Sequence, residues 1–336
     1  MEIVERILSL AKKSKGKVIL PETYDSRALH AAQMLIKNEV ADVVLPVLHG
    51  ENIEALKKKA YLENIDLSGA ELIDTDLSLL NNSKVEEFIE SRMKKGLGRD
   101  QALALLRNPL YFSMLYLKSG KCDACVCGCV EDTADVLRAA IQAVGTAPNI
   151  KLISSYFLMV PPENHKVAKE PVLFADCSVN PNPDVLGLRD IGISTVESFN
   201  KLFPDRQANV SFLSFSTKGS AKHKVLEKII EATKLVEEYF KDNKNVMVDG
   251  ELQFDASVIP EIGKRKAPGS HVAGQANILI FPDLNAGNIG YKLAERYGGF
   301  QALGPILQGL SLPVSDLSRG CKAEDIYLTS AILLLK

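Results

Sequence analysis

The sequence predicts an α/β fold in two domains, each built on a mostly parallel sheet flanked by helices. Two observations lead there. Short β-branched runs alternate with longer stretches of helical periodicity, which is the pattern of βαβ units. The length, 336 residues, also exceeds what one small core needs.

The elements follow in chain order. MEIVERILSLAKKSKGK carries charges within its apolar pattern and reads as an amphipathic helix rather than a signal peptide. Lys17 to Leu20 is a short apolar strand closed by Pro21. A helix starts near Ser26, N-capped by Asp25, with Ala28, Ala32 and Leu35 on one face. Ala41 to Leu48 is the next strand, and Pro46 marks its edge or end. Lys121 to Gly128 forms another. Asp132 or Thr133 caps the following helix, which aligns Leu137, Ala140, Ile141 and Val144 and stops at Gly145. Val210 to Phe215 is a strand that leads through Ser216-Thr217-Lys218-Gly219-Ser220 into a long helix. That helix aligns Val225, Ile229, Ala232 and Val236. Asn245 to Val248 and Asn277 to Phe281 are two further strands. No repeat, low-complexity tract or long linker interrupts the series. The expected borders are 1–150 with 304–336 for the first domain and 151–303 for the second.

Composition narrows the function. Net charge is −2, from 40 basic and 42 acidic residues, so no surplus points to nucleic acid or an anionic membrane. Any anion site must therefore be local. A hydrophobic fraction of 46% with 24% charged residues excludes disorder. No apolar run approaches the ~20 residues of a membrane helix, and a cytoplasmic protein is expected. Six cysteines in a chain of this length make no disulfide framework.

The densest chemistry lies near the end, in Asp316-Leu317-Ser318-Arg319-Gly320-Cys321 followed by Glu324-Asp325. A hydroxyl, a guanidinium, a thiol and carboxylates within ten residues suit acyl transfer. Thiol attack on an acyl phosphate needs a base, oxyanion donors and a cation for the leaving phosphate. Arg319 offers a planar fork for that phosphate. The plainer alternative is a capped turn before a helix, with Arg319 and Asp325 as a surface ion pair. Ser216, Thr217, Lys218 and Gly219 sit at a strand-to-helix turn whose N–H groups and Lys218 suit an anion, although the spacing is not that of a P-loop. A Ser/Thr-capped helix start is the plainer explanation, and residues alone favour it. Arg92 precedes Lys94-Lys95-Gly96, and Arg138 lies beside the apolar face of its helix.

Asp249, Glu251 and Asp255 in DGELQFD follow a strand and keep a Mg²⁺ site open, against a solvated Gly-broken turn. Cys122, Cys125, Cys127 and Cys129 suggest zinc or an iron–sulfur cluster by type. Cys125, Cys127 and Cys129 share one face of an extended strand, however, and that favours packing. His30, His49, His165, His223 and His271 form no ligand pattern.

These pieces together resemble the phosphate acetyltransferase family over essentially the whole chain. The resemblance rests on Leu20-Pro21-Glu22 with Asp25 and Arg27, Phe174-Ala175-Asp176, SFSTKGSA from 214, and DGELQ from 249. It continues in Lys266-Ala267-Pro268-Gly269-Ser270 with Gly274, in FPDLN from 281 with Gly287-Asn288-Ile289, in GPILQGL from 304, and in DLSRGC from 316. It implies a two-domain fold like the isocitrate and isopropylmalate dehydrogenases, a cleft active site and a homodimer. It also implies catalysis by Ser318, Arg319 and Asp325, with coenzyme A as substrate and no tightly bound cofactor or metal. Coenzyme A or substrate binding is implied for Arg92 and Arg138, with Thr133 and the 216–219 loop as further binding candidates. Partners are then acetyl phosphate, coenzyme A and phosphate. The family patterns DGxVxGA and TLRPA are broken here at Ala124 and Cys129 and at Val136 and Ala139, which bears on acyl-chain size and coenzyme A contacts. Butyryl or propionyl transfer, a metal- and NAD-dependent decarboxylating dehydrogenase, and a covalent role for Cys321 are the rival readings.

Overall fold

The computed structural model describes residues 2–47 and 53–335; Leu48 and His49 fall outside them. Among the described residues eleven strands are present: β1 (Lys17–Ile19), β2 (Asp42–Val47), β3 (Glu71–Asp74), β4 (Ala124–Cys127), β5 (Ser154–Val160), β6 (Val172–Ala175), β7 (Ala208–Leu213), β8 (Val246–Leu252), β9 (Ile278–Ile280), β10 (Gln301–Gln308) and β11 (Val314–Asp316). They form two sheets in two compact units, Met1–Pro148 with Leu310–Lys336, and Asn149–Gly309. The second border falls after Gly309 because β10 pairs with β5 in the second sheet.

The first sheet runs β11-β4-β1-β2-β3, and every pairing in it is parallel. Its strands are short, with largely apolar centres and polar residues mostly at their ends, as expected where helices cover both faces. Helix Ser26–Lys37 starts at Asp25, whose side chain accepts the Arg27 N–H, and buries Ala28, Leu29, Ala31, Ala32 and Leu35. Helix Pro109–Lys118 is buried from Pro109 through Leu117, so no polar stripe marks it in the sequence.

The second sheet runs β10-β5-β6-β9-β7-β8. Its β6, β9, β7 and β8 are parallel neighbours, whereas β10 and β5 add antiparallel pairings. Phe157, Met159, Phe174, Leu213 and Leu279 form a core cluster in this unit.

Three local expectations need correction. The helix after Thr133 is α-helical only to Ala139 and then widens into a π turn to Val144. Its buried residues are Val136, Ala139, Ala140, Ala143 and Val144, while Ile141 is exposed. The extra residue in the wide turn rotates the stripe away from a 3.6 period. In helix Val225–Phe240, Leu226 is buried and Val225 is exposed. Asp249-Gly250-Glu251 is no turn: it continues β8, paired with β7 through Asp249 and Gly250. Among the described residues no helix is long and apolar enough to cross a membrane.

Candidate active site

In the first unit the chemistry collects at the carboxyl ends of β1, β4 and β11. The chain steps outward from β1 through β2 and β3, then returns to β4 on the other flank of β1. Open parallel sheets bind ligands beyond the strand ends at such a reversal. Glu22 and Asp25 follow β1, Gly128 to Thr133 follow β4, and Leu317 to Cys321 follow β11.

Glu22 is buried, and its carboxylate accepts the backbone N–H groups of Cys129, Val130 and Glu131 at 3.0, 2.8 and 2.8 Å. The one cradle of N–H groups in the β4 loop is thereby filled from within. Arg27 uses all five of its N–H donors. Two go to Asp25 at 2.9 Å each, and the rest to the carbonyls of Arg319 (2.7 Å), Cys321 (2.9 Å) and Cys129 (2.7 Å). One guanidinium thus ties the β4 and β11 loops to the helix after β1. Its charge and hydrogen bonds hold the Asp25 carboxyl below its usual range.

The predicted catalytic residues lie on the β11 loop and the helix behind it. Ser318 is exposed, and its hydroxyl accepts the Gly320 N–H at 3.3 Å. Arg319 pairs with Asp132 at 2.7 Å, with side chains 69% and 61% exposed respectively. The alternative surface pair with Asp325 does not form. Asp325 instead reaches back from the first turn of helix Ala323–Leu333 and accepts the Lys322 N–H at 2.8 Å. Asp132 occupies the N-cap position of its helix but makes no side-chain cap bond, since its carboxylate faces Arg319. Cys321 is buried, and this pushes its thiol up to about 11 despite the Arg27 charge. A thiol so protonated at neutral pH is a poor nucleophile.

Asp316 ends β11 with 2% exposure, and its Oδ1 is buried without a hydrogen-bond partner. Burial raises its carboxyl to about 7, the Thr133 side chain works against this, and the Glu22 charge adds to it. Gly128 makes room for it: with φ of +93°, a Cβ there would meet Asp316 Oδ1 at 2.1 Å and the Leu317 nitrogen at 2.6 Å.

Arg92 and Arg138 sit on helices Asn82–Met93 and Thr133–Ala139, both packed on helix Pro109–Lys118. Arg92 lies over the Phe88 ring at 5.7 Å, and Phe88 meets Tyr111 edge-on at 6.0 Å. Arg138 is exposed and pairs with Asp135. Both charges counter the effect of burial on the Tyr111 phenol, so the structure brings the two arginines to one neighbourhood. Thr133 opens the second of these helices and is exposed.

The 216–219 loop belongs to the second unit, and its donors are engaged there. Ser216 Oγ and Gly219 N–H donate to Glu251 at 2.9 and 2.8 Å, Thr217 Oγ1 donates to Gln253 at 3.2 Å, and Lys218 pairs with Asp249. The following helix begins only at Val225, so the loop does not sit on a helix N-terminus. The DGELQFD carboxylates also diverge, with Asp249 on Lys218 and Ser270, Glu251 on the 216–219 loop, and Asp255 on Lys266 at 2.9 Å. All six cysteines are buried and free; Cys127 Sγ donates to the Ser315 carbonyl at 3.4 Å. Sequence reasoning assigned no role to Glu22, Arg27, Asp132 or Asp316 at the site. The Leu-Pro-Glu and DLSRGC motifs contained two of them, Glu22 and Asp316, and Arg27 stood beside the first, but their partners lie far along the chain.

The phosphate acetyl/butaryl transferase family model matches residues 2–334. A phosphate acetyltransferase from Clostridium acetobutylicum is 42% identical over 336 residues, spanning 100% of this chain and 98% of its own. One from Acetivibrio thermocellus is 43% identical, spanning 99% and 97%. Among solved structures, a phosphotransacetylase from Streptococcus pyogenes superposes with a TM-score of 0.89 at 36% identity, covering 99% and 97%. A 4-hydroxythreonine-4-phosphate dehydrogenase from Klebsiella pneumoniae, 12% identical with a TM-score of 0.53 and covering 96% and 98%, shares the fold alone, in keeping with the dehydrogenase-like architecture expected. With the family pattern running from the first helix to the last, and its SRG loop set at the ends of the first sheet's strands, the chain belongs to the phosphate acetyl/butaryl transferase family.

Proposed function

We propose that the protein transfers acetyl between acetyl phosphate and coenzyme A, with the β11 loop as the reacting centre. The observation that carries this is Arg319. It is an exposed guanidinium on a loop whose backbone Arg27 holds from behind. The coenzyme A sulfur attacks the acetyl carbonyl, the C–S bond forms, and the C–O bond to phosphate breaks. Asp325 takes the thiol proton and returns it to the departing phosphate, Arg319 binds that phosphate, and Ser318 donates to the reacting centre. The proton moves in concert with C–S bond formation. Arg92 and Arg138 receive the phosphates of coenzyme A, with Thr133 at the head of the Arg138 helix. A cytoplasmic location accompanies this reading, supported by six buried free thiols.

Thioester absorbance with coenzyme A and acetyl phosphate, with and without EDTA and beside butyryl phosphate, tests the reading. Rapid EDTA-resistant thioester formation supports it, and preference for butyryl phosphate moves the substrate. No turnover with any acyl phosphate rejects it. Asp325→Asn keeps an oxygen for the Lys322 N–H cap but removes the base. Turnover is expected to fall by about 100-fold or more with an unchanged unfolding midpoint; parental turnover would remove Asp325 from the mechanism.

The homodimer is proposed on the second unit. Ile289, Leu293 and Tyr297 follow one another at helical spacing and are all more than half exposed. Leu293 also borders a cavity of about 850 Å³ with Phe174, Phe254, Ala294 and Phe300. Such a patch on a globular protein marks an interface, and a second copy is the occupant that a symmetric enzyme supplies. Leu293→Glu is expected to give a monomer in sedimentation velocity, against a dimer for the parent. A monomeric parent would end this proposal.

A further inference from the structure

Three groups at the strand ends of the first sheet are suited to an anion, and the chain supplies its own partner to each. The N–H groups of the β4 loop are held by Glu22, which is 3% exposed and makes three hydrogen bonds. Arg27 has every donor spent, on Asp25 and on three carbonyls. Neither can be released without dismantling the loops they hold. Arg319 differs. Its partner Asp132 meets it with Oδ1 2.7 Å from Nη1, and both side chains are mostly exposed. Asp132 also leaves the helix N-cap bond unmade while it does so. A carboxylate on a guanidinium offers the same oxygen-to-N–H geometry that a phosphate would use.

The geometry points to Asp132 as a built-in competitor for the phosphate-bearing substrate on Arg319, so that acetyl phosphate and inorganic phosphate bind by displacing it. This rests on Arg319 being the phosphate-binding group. Displacement frees the Asp132 carboxylate for the unused N–H bond at the head of its own helix, which offsets part of what the ion pair loses. The competition sets how tightly phosphate-bearing ligands are held and lets the product phosphate leave by the same exchange. It discriminates against weak monoanions, which cannot outcompete a carboxylate already in place, and in favour of phosphoryl groups with more charge and more oxygens.

The test compares Asp132→Asn with Glu131→Gln. Glu131 is the adjacent carboxylate; its side chain accepts from Tyr24 at 2.9 Å and does not pair with Arg319. For an exposed pair, Asp132→Asn is expected to lower both the KM for acetyl phosphate and the inhibition constant of inorganic phosphate by about two- to fivefold at low ionic strength. The KM for coenzyme A stays where it was. The gap from the parent narrows as salt screens the pair, and Glu131→Gln shows no such gain. Equal effects in the two variants would mean general removal of negative charge and would overturn the competitor role. So would unchanged phosphate constants in Asp132→Asn. Arg319→Ala separates this failure from that of the underlying reading. If it loses turnover while Asp132→Asn changes nothing, only the competitor is wrong. If it keeps parental turnover, the phosphate site itself is misplaced and the competitor falls with it.

Discussion

Arg319→Ala is expected to lower acetyl transfer by about 100- to 1000-fold, the usual loss when a group aimed at developing charge is removed from an active site. The fold is expected to survive this change. The Arg319 side chain is largely exposed and pairs with the largely exposed Asp132, a contact worth little to stability. What anchors the loop is the Arg319 carbonyl, which accepts from Arg27 and is untouched by truncation of the side chain. Arg319→Lys keeps the charge but loses the planar fork, so it should recover only part of the rate. Initial rates at saturating coenzyme A, with an unfolding scan beside them, decide the matter. Alanine retaining more than about a tenth of parental turnover would contradict the assignment.

Asp316→Asn is expected to change how stability depends on pH. The Asp316 carboxyl rises from its ordinary 3.8 to about 7 on folding, because the end of β11 is buried. Between those two values the native state binds more protons than the unfolded chain. Stability from this group therefore falls as pH rises from about 4 to about 7 and levels off above. The span corresponds to on the order of 4 kcal/mol. Asparagine holds no proton to lose, so the variant should show a flatter profile across that window and exceed the parent at pH 8. Glu22, whose charge raises the Asp316 carboxyl, keeps its three N–H bonds in both proteins. Denaturant midpoints measured across that pH range provide the check. A parental profile that rises between pH 4 and 7, with the variant parallel to it, would show that Asp316 ionises as an ordinary surface carboxyl does.

Much of this architecture was legible before any coordinates. Val18 and Ile19, then Val43 to Val47, are apolar runs with turn residues beside them, and they formed parallel strands as expected. The Asp25 cap and its helix face were legible for the same reason: both depend on residues within a few positions. The π turn at Ala140–Val144 was not, because a single wide turn leaves the composition of the segment unchanged. Nor was β8 readable through Asp249-Gly250-Glu251, where polar residues stay in a strand because Lys218, Ser216 and Gly219 satisfy their carboxylates from another loop.

The sequence by itself determined the α/β class, the family and the cluster of hydroxyl, guanidinium and carboxylates near the C-terminus, because each is a local pattern or an ordered series of such patterns. Only the tertiary structure decided what those groups face. Arg27 reaches Arg319 across 292 positions and Cys129 across 102, and Glu22 reaches the β4 loop across 107 to 109. Strand order alone places Asp132 opposite Arg319 and seals Asp316 against Gly128. Hydrogen bonds, desolvation and charge pairing act through distances of a few ångströms, and the folded sheet, not the spacing along the chain, sets those distances.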